Sequence, residues 1–220
     1  MNTIIGISGV AGSGKDTFFE LLSARAPCRK YSLADELKKE VSQWCRMHYG
    51  IDPETCSREE KEIVRPFLVF HGVTKRHASN GRHWIDKIND RIIKDKVHGF
   101  KIITDIRYDE YENDEASWLK NELNGTLIHV SQYEIKKVTS KKNWPKEEIT
   151  RVFRKPANEE EARNDPRIKK KSDFNIEWEF IKNGQISELN SYIDNFFKWL
   201  ADHETTSRQH SHKENQEGGV

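Results

Sequence analysis

The sequence predicts an α/β fold, in which a largely parallel β-sheet is flanked by helices. An apolar, β-branched run at residues 3–8 leads into a glycine-rich loop, and a helical pattern follows from residue 15 to about residue 25. Further along the chain, short apolar runs alternate with segments of helical periodicity. Because a helix between two strands returns the chain to the same end of the sheet, this alternation is typical of parallel pairing.

Hydrophobic spacing gives each element in turn. Strands are expected at residues 3–8, 30–32, 100–104, 126–130 and 174–180, where apolar residues are consecutive or alternate with polar ones. Helices are expected where apolar residues recur every three or four positions, at residues 15–25, 34–48, 58–70, 84–97, 115–122 and 186–200. In the fourth helix Trp84, Ile85, Ile88 and Ile92 share one face, which predicts burial along that side. Asn183-Gly184 predicts a tight turn before the last helix.

Two segments do not follow this alternation of strand and helix patterns. Residues 131–172 hold 13 Lys and Arg against 7 Asp and Glu, a local excess of +6, with three prolines among them. This composition predicts a mobile basic insertion rather than part of the core. Residues 201–220 are almost entirely polar and predict a disordered tail. We therefore expect one domain over residues 1–200, followed by that tail.

The composition excludes several classes of protein. With 6 Trp and 10 Phe in 220 residues the chain can bury a core, although its mean hydropathy of -0.89 is very polar. A net charge of +1 argues against a protein that coats nucleic acid. No apolar run reaches the ~18 residues of a membrane helix, and the N-terminus lacks a signal peptide's features. Three cysteines without metal-ligand spacing support neither a disulfide framework nor a zinc site. We expect a cytoplasmic protein with no membrane or nucleic-acid partner.

Residues 9–15, Gly-Val-Ala-Gly-Ser-Gly-Lys, match the phosphate-binding pattern G-x-x-x-x-G-K between a predicted strand and a predicted helix. The glycines let successive backbone N–H groups turn toward phosphate oxygens, and the helix N-terminus adds positive potential. Lys15 is placed to bridge the outer phosphates. The alternative is a glycine-rich turn with an exposed lysine. The residues expected to bind ATP are Gly9, Gly12, Ser13, Gly14, Lys15, Asp16 and Thr17.

The residue after Lys15 is Asp16, where this pattern has Ser or Thr, and Thr17 follows one place later. The hydroxyl that usually reaches Mg²⁺ is therefore displaced by one position. Asp105 ends the predicted strand 100–104, at the sheet edge where α/β proteins bind ligands. Its carboxylate could hold Mg²⁺ directly or through water, so Asp16, Thr17 and Asp105 are the expected metal-binding residues.

Arg107 lies two residues after Asp105, on the same side of the extended chain, where it could pair with phosphate. The alternative for Asp105 and Arg107 is an ordinary Asp–Arg pair that caps the next helix.

Residues 12–17, Gly-Ser-Gly-Lys-Asp-Thr, resemble the loop of the phage-type deoxynucleoside monophosphate kinases, and also that of animal phosphomevalonate kinase. Further segments resemble the phage family in the same order along the chain, from about residue 3 to residue 198. They are Tyr-Ser-Leu-Ala-Asp-Glu-Leu-Lys at 31–38, the Leu68, Gly72, Arg76 and Trp84 spacing, Ile-Ile-Thr-Asp-Ile-Arg-Tyr at 102–108, and Asn164-Asp165-Pro166 with Lys-Ser-Asp-Phe-Asn-Ile at 171–176.

The resemblance implies a P-loop kinase fold and an enzyme that uses ATP and Mg²⁺ to phosphorylate deoxynucleoside 5′-monophosphates. It implies a viral origin, hence the host cytoplasm, and small-molecule nucleotides as partners. The acceptor would lie against residues 33–98, and residues 131–172 would form a lid. The chain departs from the family at Val69-Phe70-His71, where a glutamine normally precedes the central glycine, so the base preference stays open. Ribose selectivity and the possibility of a homodimer stay open as well.

The residues expected to bind the acceptor are Asp35, Lys38, Arg65, Gly72, Arg76 and Trp84. Arginine forks suit a monophosphate, and at least one of Arg65, Arg76 and Arg82 is expected to bind it. The alternative for Asp35 and Lys38 is a solvated ion pair one helical turn apart.

Lid arginines would neutralise charge on the transferred phosphoryl group. The catalytic residues expected on this basis are Lys15, Asp105, Arg107, Arg151 and Arg154. A solvated basic loop is the alternative for the last two.

Three other functions stay open. One keeps the fold and changes the acceptor to dephospho-coenzyme A or phosphomevalonate. A second is a nucleotide-binding regulatory module without transfer activity. The third, a kinase of nucleic-acid 5′ ends, is disfavoured by the near-zero net charge.

Overall fold

The computed structural model describes residues 2–96, 98–139, 147–181 and 186–217. They form two units, Met1–Glu179 and Phe180–Val220. Within the first unit six strands make one mostly parallel sheet flanked by helices, which confirms the predicted α/β class. The predicted turn at 183–184 and residues 140–146 of the predicted lid lie outside the described residues.

The first unit begins with strand β1 (Asn2–Ser8), helix α1 (Lys15–Ser23), strand β2 (Cys28–Tyr31) and helix α2 (Leu33–Tyr49). Helices α3 (Arg58–Ala78) and α4 (Arg82–Lys94) follow, then strand β3 (Gly99–Ile103), a short α5 (Glu115–Ser117) and a π-helical turn (Trp118–Glu122). The unit ends with β4 (Thr126–Thr139), β5 (Glu147–Phe153), α6 (Glu159–Lys171) and β6 (Phe174–Glu179). These bounds confirm the predicted strands and helices of this unit to within a few residues, except at the end of α3 and within residues 131–172.

The sheet order is β2-β3-β1-β4-β5, and β6 also pairs with β4. Strand β1 is central and runs parallel to β3 on one side and to β4 on the other. The chain thus leaves β1 for one half of the sheet and later returns to the other half through β4. In such sheets ligands bind at the carboxyl ends of the strands, next to this reversal.

Helix α3 continues past the predicted end at residue 70 to Ala78. It starts with a capping box in which Ser57 and Glu60 satisfy each other's backbone N–H groups. The polar and small residues after Phe70 weaken the apolar pattern, but Gly72 still lies on the helix, where a Cβ would come 3.2 Å from Leu37. Packing against α2, rather than periodicity, carries the helix through this stretch.

The described part of residues 131–172 belongs to the sheet and to a helix, so the prediction that this segment lies outside the core is wrong. Strand β4 runs on to Thr139, pairing parallel with β6 and then antiparallel with β5. Helix α6 follows, and Tyr133 and Ile168 are buried. A strand at the side of a sheet can pair with its neighbours while one of its faces stays polar. A helix that buries only one face also needs few apolar residues, so the charge count was misleading.

The second unit contains a 3₁₀ turn (Ile186–Leu189) and helix α7 (Asn190–Glu217). Its start agrees with the predicted last helix, but the backbone stays helical through most of the predicted disordered tail. Residues 201–217 contain neither proline nor glycine, so no residue there interrupts a helix. Within the described part of the chain, none of the helices has the length and apolarity needed to cross a membrane.

Glu40 ties helices α2, α3 and α4 together. Its carboxylate lies 2.9 Å from the ring nitrogens of His71 and His83 and 2.9 Å from Lys87 Nζ. Burial by itself raises the pKa of Glu40, but the hydrogen bonds from these three side chains outweigh it and hold that pKa well below its usual range. The junction fixes the helices that form one wall of a cavity at the carboxyl ends of the strands.

Candidate functional site

A cavity of about 420 Å³ lies at the carboxyl ends of β1, β2 and β3. The loops after β1 and β3 form its floor, the start of α2 and one face of α3 form one wall, and the first turns of α6 form the other. Among the residues predicted from sequence, those that line it are Gly9, Lys15, Asp16, Asp35, Lys38, Arg65, Gly72, Trp84, Asp105 and Arg107. One cavity therefore brings together both halves of the predicted site, the ATP-binding loop and the acceptor-binding helices.

The glycine loop is held in a fixed shape by contacts from behind. Gly9 and Gly14 have φ values of 133° and 95°, and a Cβ at Gly9 would come 2.2 Å from the carbonyl oxygen of Val130. A Cβ at Gly14 would come 2.6 Å from the Trp178 ring, whose Nε1 donates to Ser13 O at 2.9 Å. Only glycine adopts these positive φ values without strain and leaves room for the neighbouring atoms at both positions. Gly12, Ser13 and Gly14 thus shape the loop from outside the cavity lining, and Thr17 does not line the cavity either.

Lys15 folds back onto its own loop. Its Nζ donates to the carbonyl oxygens of Gly9 at 2.6 Å and Val10 at 2.9 Å. Burial, with a smaller contribution from the nearby positive charge of Arg107, lowers the pKa of Lys15 to about 8. Burial removes water from around the Lys15 ammonium group, so an anion bound beside it would stabilise its charged form.

Asp105 caps helix α2. Its carboxylate accepts hydrogen bonds from Leu33 N at 2.9 Å, Ala34 N at 2.7 Å and Ser32 Oγ at 3.0 Å. The carboxylate therefore satisfies N–H groups at a helix N-terminus, although the helix is α2 and not the next one along the chain. Both oxygens are engaged while Asp105 still lines the cavity, which suits contact with a cation through water better than direct ligation.

Arg107 is exposed and lines the same cavity. Its backbone N–H donates to Glu115 Oε2 at 2.7 Å, and the Tyr108 N–H donates to the same oxygen at 3.2 Å. Glu115 thus holds the loop that carries Asp105 and Arg107. This residue was missed, because in sequence it is one carboxylate among several after the strand.

Burial, together with the neighbouring charge of Asp114, raises the pKa of Glu115 to about 8, against the lowering effect of the Arg107 N–H. Glu115 therefore carries a proton near neutral pH. The floor of the cavity then has one negative charge fewer than it would have with Glu115 ionised.

The wall formed by α2 and α3, called here the acceptor wall because it was predicted to hold the acceptor, combines apolar and charged lining residues. Leu37, Leu68, Val69 and Val73 line it. Asp35 and Lys38 form an ion pair at 2.8 Å, and Arg65 pairs with Glu62 at 2.6 Å. Trp84 is 5% exposed and donates from Nε1 to Gly72 O at 3.1 Å, so its ring is part of the wall.

Arg76 does not reach the cavity. Its side chain is 1% exposed and pairs with Asp114 and with Glu110, lying over the Tyr108 ring at 3.8 Å. The prediction that Arg76 binds the acceptor phosphate thus has no geometric support, because the carboxylates of Asp114 and Glu110 already neutralise its guanidinium.

The two predicted lid arginines also lie outside the cavity lining. Arg151 stacks over the Tyr133 ring at 4.6 Å. Arg154 donates to Gln132 Oε1 at 3.1 Å and lies beside the glycine loop, 3.6 Å from where a Gly12 Cβ would be. The residues of this segment that do line the cavity are Asn158, Glu160, Glu161, Asp165 and Ile168. The predicted basic lid therefore contributes mainly carboxylates, a reversal of sign that net charge could not reveal.

Asp16 lines the cavity and pairs with Lys30 at 3.0 Å. Across the described ranges, no group of three His, Cys, Asp or Glu side chains is arranged to hold a metal ion. Asp16 and Asp105 both line the cavity, and one or two carboxylates with substrate phosphates and water are the usual ligands of Mg²⁺.

Neither the models of known protein families nor the curated proteins gave a match to this chain. The function of the cavity therefore has to be inferred from its own residues. Its distinctive feature is that a glycine loop with a desolvated lysine shares one cavity with Lys38 and Arg65 of helices α2 and α3.

Proposed function

We propose that this protein is a kinase that transfers the γ-phosphoryl group of ATP to a deoxynucleoside 5′-monophosphate. The observation that carries the proposal is that Lys15 of the glycine loop opens onto the same cavity as Arg107 and the acceptor wall. Donor and acceptor phosphates would meet there. The collinear resemblance to the phage-type kinases supports this choice of acceptor.

Phosphoryl transfer between two phosphates requires positioning and positive charge rather than a strong base. Lys15 and the loop N–H groups would hold the donor, and Arg65 with Lys38 would hold the acceptor phosphate at the opposite wall. Arg107 lines the same cavity and lies near enough to Lys15 to lower its pKa, so it would neutralise charge that develops during transfer. The nearest carboxylates for Mg²⁺ are Asp16 and Asp105, and the bound ion would supply further neutralisation of the phosphates.

The test is ADP release from ATP–Mg²⁺ with each of the four deoxynucleoside monophosphates, their ribose counterparts, dephospho-coenzyme A and phosphomevalonate. Release with one or more deoxynucleotides is expected, because the apolar residues of the acceptor wall accommodate a base and the cations of the same wall accommodate a phosphate. Binding of ATP without release for any acceptor would contradict the proposal and favour a regulatory module.

The Lys15→Ala variant is expected to lose about 100-fold or more of the rate, the usual effect of removing a group that stabilises the transition state. Lys136→Ala is the matched control, since Lys136 is an exposed lysine of β4 that does not line the cavity. Equal rates for Lys15→Ala and wild type would remove Lys15 from the mechanism.

A larger, more open groove of about 840 Å³ continues from this cavity along the edge strand β2. Lys30, Ser32, Asp35 and Lys38 line both spaces. This continuity favours a second candidate, a kinase whose phosphorylated acceptor is extended, such as dephospho-coenzyme A. In the same panel, release with that acceptor alone would favour this function.

A further inference from the structure

The carboxylate of Glu161 occupies the glycine loop. Its Oε1 accepts a hydrogen bond from the Ala11 backbone N–H at 3.1 Å, although the two residues are 150 positions apart. Its Oε2 accepts from Ala157 N at 2.8 Å. One side chain thus joins the start of α6 to the loop that follows β1.

We propose that Glu161 is an internal stand-in for a substrate phosphate, which closes the glycine loop until a phosphate chain displaces it. The inference rests on the proposed function only in requiring that this loop bind phosphate. A carboxylate and a phosphate present the same chemistry to a backbone N–H, a negatively charged oxygen acceptor. The Ala11 N–H that donates to Glu161 is therefore withheld from a ligand in this arrangement.

The charges around Glu161 fit the same role. Burial dominates the lowered pKa of Lys15, and the charge of Glu161 opposes it. The pKa of Arg65 is raised, first by its hydrogen bond to Glu62 and also by the charge of Glu161. Glu161 thus lies within electrostatic reach of both the donor lysine and the acceptor arginine. If a phosphate displaced the Glu161 carboxylate, Lys15 and Arg65 would interact with that phosphate instead.

The helix that carries Glu161 is anchored independently of this contact. Ile168 is 1% exposed, and Arg163 pairs with Glu110 at 2.8 Å. The Asn158 side chain caps the first turn by accepting from the Glu161 N–H at 2.9 Å. Release of the carboxylate therefore requires a change in one side chain and the adjoining turn, and α6 can stay in place.

The test compares Glu161→Gln with Glu159→Gln. Glu159 lies in the same first turn, is exposed and does not line the cavity. Glu159→Gln removes the same charge as Glu161→Gln. Inorganic pyrophosphate and ATP–Mg²⁺ are the probes, with dissociation constants measured by titration calorimetry. The apparent dissociation constant equals the intrinsic one divided by the fraction of protein in the open state, so removing the closed state lowers it by that factor. Glu161→Gln is expected to bind both probes about 3- to 10-fold more tightly, and Glu159→Gln to bind them as wild type does.

Glu161→Asp separates geometry from charge, since it keeps the charge but is one methylene too short to reach Ala11 in the same way. It is expected to tighten binding like Glu161→Gln. Thermal unfolding of each variant checks that the fold is retained.

Equal pyrophosphate affinity for wild type, Glu161→Gln and Glu159→Gln would overturn the inference and leave the proposed function standing. The same holds if the two Gln variants tighten binding equally, which would show a general charge effect. Absence of pyrophosphate and ATP binding in all the proteins would instead overturn the proposed function, and the inference with it.

Discussion

The ionisation state of Lys15 decides whether the glycine loop presents a positive charge to the cavity. It is desolvated, its own loop carbonyls accept its hydrogen bonds, and its pKa is lowered to about 8. A phosphate chain in the cavity would stabilise the ammonium form and raise that pKa again. Ligand binding and proton uptake are therefore linked at this residue.

We predict that at pH 8.5 the binding of ATP–Mg²⁺ takes up as much as about one proton per site. The sign follows from the lowered pKa, because part of Lys15 is neutral in the free protein and charged in the complex. Affinity should fall as the pH rises above 8. Calorimetric titration in buffers of different ionisation enthalpy measures the uptake.

Lys15→Arg is the control, because a guanidinium stays protonated throughout this range. It should bind without the proton uptake assigned to Lys15. The same uptake in wild type and Lys15→Arg would show that another group titrates.

Arg76 acts at the scale of elements, because it joins helix α3 to the segment between β3 and α5. Its two carboxylate partners, Glu110 and Asp114, both belong to that segment. Asp114 is fully buried and also accepts backbone N–H groups of Glu110 and Tyr111. The segment that presents Arg107 to the cavity thus depends on a charge pair beneath it.

Arg76→Leu is predicted to lower the free energy of unfolding by about 3–5 kcal/mol, because it leaves a buried carboxylate without its partner. Arg82→Leu is the matched control. Arg82 also pairs with two carboxylates, Asp86 and Glu122, but these pairs are exposed and should cost less than about 1 kcal/mol. Chemical denaturation measures both values. Similar small losses for the two variants would show that the buried pair contributes little net stability.

At the scale of the whole molecule, the cavity lies between elements from distant parts of the first unit. The glycine loop, α2, α3, the β3 loop and α6 all supply lining residues. A ligand that contacts several of them binds the folded state alone and raises its stability by mass action.

ATP–Mg²⁺ at 100 times its dissociation constant should add about 2.7 kcal/mol. For a chain of this size that corresponds to a rise in Tm of about 5–10 °C. Differential scanning calorimetry measures it, and adding the deoxynucleoside monophosphate that supports ADP release should raise Tm further. Lys15→Ala should keep the Tm of the free protein and lose most of the shift. An unchanged Tm in saturating ATP–Mg²⁺ would contradict a site built from these elements.

Local patterns were sufficient for most of the elements outside residues 131–172 and for the glycine loop. Strand β1, the loop and α1 are contiguous in sequence, so their spacing already constrains their geometry. The 15–25 helix, the strand at 100–104 and the buried face of α4 follow from short-range periodicity in the same way. Lys15 was identified from the G-x-x-x-x-G-K spacing, and Asp105 and Arg107 were identified because they follow a strand end.

Patterns failed where a partner comes from a distant part of the chain. A count of charges over residues 131–172 could not show that β4 pairs with β6, or that carboxylates of α6 face the cavity. Likewise, the spacing of Arg65, Arg76 and Arg82 gave no reason to separate the one that lines the cavity from the two that do not.

The sequence by itself determined the α/β class, the glycine loop and the position of Lys15 in it, because backbone hydrogen bonding and side-chain periodicity act over a few residues. Only the tertiary structure decided that Asp105 caps α2, that Arg76 is buried against Asp114, and that Glu161 occupies the loop. Each of these contacts joins residues between 38 and 150 positions apart. Which charge meets which partner depends on how the packed elements place them, and local sequence does not encode that placement.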